Sequence, residues 1–216
     1  RTSGSIMEGM LDNIWEKLFE FDKDANSAPC LAVSWTVIEP EIWEFKLRPN
    51  VKFTNGEAFN AEVVKWSLET QRDDVANSSR NWLLSIKEVE VVDDLTVRIH
   101  THGPDPELIE ELTWTGYMMP LNYASKEYEG ELLTKPHGTG PYKLVEWIKD
   151  VRFVFEHNED WWGPELDIKR IEVRPIPESA TRVAALLSGE VDLIDNPLPE
   201  DIPRLQQTQG ITVEIS

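Results

Sequence analysis

The chain is poor in the residues that carry covalent and metal chemistry. It has one cysteine, Cys30, and four histidines in 216 residues. A lone thiol excludes an intrachain disulfide and any zinc site built from several cysteines. Cys30 sits in the apolar run CLAVSW, Cys30 to Trp35, and reads as a buried thiol acting as a small hydrophobe. Long apolar runs are missing too. No stretch approaches the roughly 20 residues that span a bilayer, and Arg1 to Met10 has neither the apolar core nor the cleavage site of a secretory leader. The expectation is a chain not inserted in a membrane, either cytosolic or stripped of its leader. Both ends read as cut, the second inside a strand at Ile211 to Ile215. Basic residues are outnumbered, 21 Lys and Arg against 40 Asp and Glu, a formal net charge of -19. That field disfavours nucleic acid as a partner unless a basic patch intervenes. The densest basic group, Lys169, Arg170 and Arg174, instead alternates with apolar residues like an exposed strand face.

What is present suits a globular protein, with 40% hydrophobic and 28% charged residues. Met7, Met10, Leu11, Ile14 and Leu18 recur at helical spacing, which predicts an amphipathic helix over Met7 to Phe19 with Glu8, Asp12 and Glu16 turned outward. Strands are expected at Leu31 to Trp35 and from Trp43 to Leu47, where apolar residues alternate with Glu44, Lys46 and Arg48. Asn55-Gly56 marks a tight turn, and Asn60 caps a helix from Ala61 to Gln71. A hairpin follows over Lys87 to His102, reversing at Asp93 and Asp94. Asp105-Pro106 opens a short helix through Leu112. Further strands are predicted at Tyr142 to Trp147, Arg152 to Glu156 and Ile168 to Arg174. A helix from Glu178 to Ser188 stops at Gly189, and Val191 to Ile194 then reads as a strand, so that strand, helix and strand would form a right-handed parallel crossover.

Four strings, in order, carry a resemblance. They are CLAVSW with WEFKLRPNVKFTNGEAFNAEVVKWSL (Trp43 to Leu68), then GTGPYKL from Gly138, HNEDWWG (His157 to Gly163) and LLSGEVDLI (Leu186 to Ile194). Together they resemble the extracellular solute-binding proteins of family 5, the oligopeptide, dipeptide and nickel-binding type, over most of the chain. The resemblance implies a periplasmic-binding-protein-like (type II) lobe of α/β class, with mixed sheets and an α+β insertion subdomain. It places residues 1–38 plus 140–216 in a discontinuous, partial ligand-facing lobe and 39–139 in the insertion, with the second lobe absent from this chain. It also implies a substrate-binding component of an ABC importer, periplasmic or extracellular, with lipid anchoring of the full-length precursor a further expectation. Such a protein would carry a small solute (peptide first, oligosaccharide or metal chelate as alternatives) to a permease and its ATPase. No cofactor is expected. The alternative role for the same fold is the ligand-sensing module of a regulator.

By the same resemblance, ligand-binding residues fall at Met7 and Glu8, at Trp82, and at Trp114, Tyr117 and Met118. Indole and phenol rings offer flat apolar surface with a polar tip, and methionine adapts its shape. Of the nine tryptophans, Trp35, Trp43, Trp66, Trp147 and Trp161 lie inside scaffold strings and are expected in the core. No catalytic or metal residues are expected. An acid hydrolase is the remaining alternative, for which Glu107, Glu110 and Glu111 could supply the acid and base pair, but 40 acidic residues bring such groups together by chance. His100 and His102 alternate along a strand, while His137 and His157 stand at turns, without a spacing that requires a metal. Neither GxSxG nor HExxH occurs, and GTGP lacks the helix that a phosphate cradle needs.

Overall fold

The computed structural model describes residues 12–124 and 134–214. Nine strands form three antiparallel sheets among them. A short pair joins β1 (Phe19–Phe21) to β2 (Ser27–Pro29). A four-stranded sheet has the order β3-β4-β6-β5, from β3 (Ala32–Glu39), β4 (Ile42–Leu47), β5 (Ile86–Asp93) and β6 (Thr96–Thr101). A three-stranded sheet runs β7 (Tyr142–Ile148), β8 (Arg152–His157), β9 (Arg170–Val173). Four α-helices accompany them: α1 (Ala61–Asp73), α2 (Leu108–Trp114), α3 (Ser179–Ser188) and α4 (Ile202–Gln207). The hairpin β3–β4 straddles residue 39, so the large sheet already begins at Ala32.

The period-two segments fold as expected. Trp43 and Phe45 of β4 pair with Ile99 and Val97 of β6, and Val89 and Val91 of β5 lie against the same two residues from the other side. α1 closes the inner face of this sheet with Ala61, Val63, Val64, Ser67 and Leu68. The Asn60 side chain accepts from Val63 N–H at 3.1 Å, satisfying a donor that the first turn leaves orphaned. Asn60→Ala is expected to cost about 1 kcal/mol of unfolding free energy, read as a lower urea midpoint at constant slope. The main core gathers these residues with Leu18, Phe19, Leu31, Phe53, Leu83, Leu108, Leu112 and Met118. A smaller core joins Ile14, Trp15, Tyr142 and Phe155.

Several expectations change. The first half of the helix predicted over Met7 to Phe19 lies outside the described residues. Its second half is not helical: residues 12–14 turn, 15–17 are irregular and β1 begins at Phe19. Helical spacing there reflects burial on two sides, because Ile14 and Trp15 enter the smaller core while Leu18 and Phe19 enter the main one. The backbone bonds go sideways: Gly140 N–H to Ile14 O, Tyr142 N–H to Asn13 O, Met118 N–H to Glu16 O, and Cys30 and Ala32 N–H to Leu18 O. Glu16, expected outward, is buried. α2 starts at Leu108, since the Asp105 carboxylate accepts from Glu107 N–H in a turn ahead of the helix. Val191 to Ile194 forms no strand, and Leu193 is 81% exposed. No described strand runs beside it, so the parallel crossover is absent among the described residues, and β9 pairs antiparallel with β8 instead. Ile211 to Glu214 is likewise irregular. Trp35, expected in the core, is exposed on β3, an edge of the large sheet whose residues after Ala32 all face solvent. Gly189 does end α3, in the left-handed conformation at φ +74° with its N–H donating to Ala185 O and Leu186 O.

Candidate functional site

Trp82 and Trp114, 32 positions apart in the chain, come together on the surface. Trp82 rides on a single 3-10 turn, Arg80–Leu83, and Trp114 is the last residue of α2. Leu83 on the turn and Leu108 and Leu112 on the helix are driven into the main core, which leaves both indoles on the outer side. The rings stack at 6.2 Å between centroids and 21° between planes, and Phe21 of β1 meets Trp114 edge-on at 4.7 Å. Trp82 is 46%, Trp114 53% and Phe21 38% exposed. Three aromatic rings that remain this open in a folded chain form a preassembled apolar platform, the kind of surface that binding sites use. Phe21 escaped sequence reading because nothing in FEF marks it.

Of the other expected site residues, the two that are described, Tyr117 and Met118, separate from this platform. Met7 and Glu8 lie outside the described residues. Met118 is fully buried in the main core, its N–H spent on Glu16 O, so it packs instead of facing solvent. Tyr117 is half-buried. Its hydroxyl donates to Asp12 at 2.8 Å, its ring lies 6.4 Å from Trp15, and the Lys17 ammonium sits over it at 4.9 Å. It therefore belongs with the segment around residues 12–17, on the same stretch of chain as Trp114 but held by other partners.

A second feature is polar and buried. The Glu16 carboxylate accepts from Trp161 Nε1 at 3.1 Å and from Trp162 Nε1 at 2.9 Å. Burial pushes its pKa above the ordinary carboxylate value, opposed by the two indole donors. Arg48 lies over the Trp162 ring at 3.6 Å and donates through Nε to Cys30 O. The Cys30 thiol is buried and its pKa is pushed far up by that burial, which leaves it inert. Glu16 thus ties the HNEDWW turn to the first described segment, a structural task.

The remaining candidates are accounted for locally. His100 Nε2 lies 2.9 Å from Glu90 Oε2 on the outer face of the large sheet. Among the described residues no three His, Cys, Asp or Glu side chains gather as metal ligands. Glu111 accepts from the Ser85 hydroxyl at 2.8 Å. A cavity of about 280 Å³ lies among Thr54, His137 and the β7 residues Lys143 to Trp147. No helix among the described residues is long and apolar enough to cross a membrane.

Residues 26–216 match the family described as bacterial extracellular solute-binding proteins, family 5 Middle. The glutathione-binding protein GsiB of Pectobacterium atrosepticum is 33% identical over 191 residues, covering 86% of this chain and 37% of that protein. The nickel-binding periplasmic protein of Escherichia coli K12 is 32% identical, covering 84% of this chain and 35% of its own length. The solved periplasmic binding protein DppA of Helicobacter pylori, in complex with the peptide STSA, superposes with a TM-score of 0.83 at 28% identity, over 97% of this chain and 45% of that one. The chain therefore spans less than half the length of these relatives, which are solute-binding proteins and not enzymes.

Proposed function

The chain belongs to the bacterial extracellular solute-binding proteins of family 5, and on that footing we propose that the protein it forms part of captures a small solute for an ABC importer. The solute is peptide-like, enters a cleft between two lobes, and is passed to a membrane permease driven by an ATPase when the lobes have closed on it. In this reading residues 1–38 and 140–216 belong to the ligand-facing lobe, and the inserted subdomain of 39–139, joined to it through β3, brings Trp82 and Trp114 to the cleft beside Phe21. The protein works in the periplasm or outside the cell.

The observation that carries this proposal is the exposed platform of Trp82, Trp114 and Phe21, on a fold shared with a peptide-bound relative. Indole faces receive the apolar and planar parts of a peptide, and the opposite wall supplies the rest of the burial. Similarity to a glutathione-binding protein supports a short peptide-like ligand, and similarity to a nickel-binding protein makes a metal chelate the second solute to test.

The test is thermal unfolding of the full-length protein with glutathione, short peptides and nickel chelates. A true solute at a hundredfold excess over Kd stabilises the folded state by roughly 2.7 kcal/mol. Trp82→Ala is expected to weaken that solute by about 2 kcal/mol, close to thirtyfold in Kd. A full set of solutes without a shift, or a Trp82→Ala protein that binds as tightly as the parent, would defeat the proposal.

A further inference from the structure

Two exposed rings on separate elements need something to fix their mutual angle. Leu83, Leu108 and Leu112 anchor the two elements in the main core, but such anchors set position better than rotation, because apolar contacts are non-directional. The 3-10 turn bearing Trp82 is four residues long and has no side-chain cap. α2, bearing Trp114, is seven residues long and also lacks one.

A directional link bridges them. Ser85, three residues after Trp82, donates its hydroxyl to Glu111 Oε2 at 2.8 Å, and Glu111 lies three residues before Trp114. Each end is held in turn. Ser85 O accepts from His102 N–H at 3.0 Å, fixing it to the end of β6, and Glu111 O accepts from Thr115 N–H at the close of α2. A carboxylate acceptor makes this bond stronger than a neutral pair would. Both groups are half-buried, so water competes poorly for them.

We propose that Ser85 and Glu111 are positioning residues that set the stacking angle of Trp82 and Trp114. This rests on the platform taking the solute, but the geometry itself can be read without any solute. Paired indoles produce an exciton couplet in far-ultraviolet circular dichroism, and the spectrum of Trp82→Phe subtracted from that of the parent isolates the couplet of this pair from the other tryptophans. In the full-length protein, Ser85→Ala and Glu111→Ala are each expected to lose most of the couplet while still unfolding cooperatively. Glu111→Gln keeps an acceptor for the Ser85 hydroxyl and removes the repulsion from Asp105 and Glu107, and it is expected to retain the couplet.

Affinity for glutathione, or for a dipeptide if glutathione does not bind, should fall about fivefold to tenfold in the two alanine variants and recover in Glu111→Gln, the size of one lost hydrogen bond. An unchanged couplet in both alanine variants overturns the positioning role, as does its loss in Glu111→Gln. A lost couplet with undiminished affinity leaves the positioning role standing and instead removes the platform from the binding surface.

Discussion

Gly138→Ala is expected to be the most damaging alanine substitution at any of the described glycines. A Cβ at that position would sit 1.8 Å from Ile14 O and 2.8 Å from the Trp15 ring. Neither can yield. Ile14 O already accepts from Gly140 N–H, and Trp15 Nε1 donates to His137 O, one residue before the glycine. The backbone of residues 137–140 and that of residues 13–15 must therefore part, with loss of these bonds and of the smaller core between them. Cost is expected at about 4 kcal/mol, lowering the unfolding midpoint by roughly 8–16 °C. Gly103→Ala is the control, since a Cβ there meets nothing within 4 Å, and it should stay within about 0.5 kcal/mol of the parent. A Gly138→Ala protein melting with that control would mean that the two segments do not touch as described.

Glu16 is expected to produce the second large effect, one that depends on pH. Removing its side chain in Glu16→Ala leaves two indole N–H groups without an acceptor and opens a cavity, for a loss of about 3 kcal/mol at neutral pH. In the parent, burial raises the folded-state pKa above the ordinary 4.5. A raised carboxyl pKa means that the folded chain holds the proton more tightly than the unfolded one. The stabilisation linked to this proton is complete below pH 4.5 and is lost as pH rises through the folded-state value. Glu20 and Glu111 are shifted the same way, by burial first. The carboxylates shifted downward, Asp22, Glu44, Asp73, Asp93 and Glu146, act in the opposite sense, but their stabilisation is lost only as pH falls below the ordinary carboxylate range, outside the mildly acidic to neutral window. Melting midpoints across mildly acidic to neutral pH should fall, and the slope should flatten in Glu16→Gln. A parent whose midpoint rises over that range would contradict the assignment.

Local chemistry made much of this fold legible. The hairpins, the Asn60-capped helix and the Gly189 stop each depend on residues within a few positions of one another, and each is found where the sequence put it. The failures share a physical cause, a dependence on partners far along the chain. Residues 12–18 have the spacing of a helix because they are buried from two sides, and no local signal reports the second side. Val191 to Ile194 is apolar enough for a strand but has no neighbour to pair with among the described residues. Trp35 carries a scaffold residue's neighbours in sequence and an edge residue's exposure in space.

The same limit governed the candidate site. Trp82 and Trp114 could be named one by one, while their stacking, the contribution of Phe21 and the Ser85–Glu111 bridge arise only when the turn, β1 and α2 meet. Glu16 had a weak signal, in that two adjacent tryptophans in HNEDWW need acceptors if buried. Which of 40 acidic residues would serve was not readable.

The placement of residues 12–18 also bears on the order in which the chain can fold. Their bonds reach forward to residues 30–32, 118, 137–142 and 161–162, with the Trp15 to His137 contact spanning 122 positions. Loop closure on that scale cannot reward the chain until the large sheet and the β7–β8 hairpin already stand. Residues 12–18 leave the ribosome before every segment they bond to, so they are among the last to find their place, and during synthesis their apolar side chains, Trp15 and Leu18 among them, wait uncovered for the partners that will bury them.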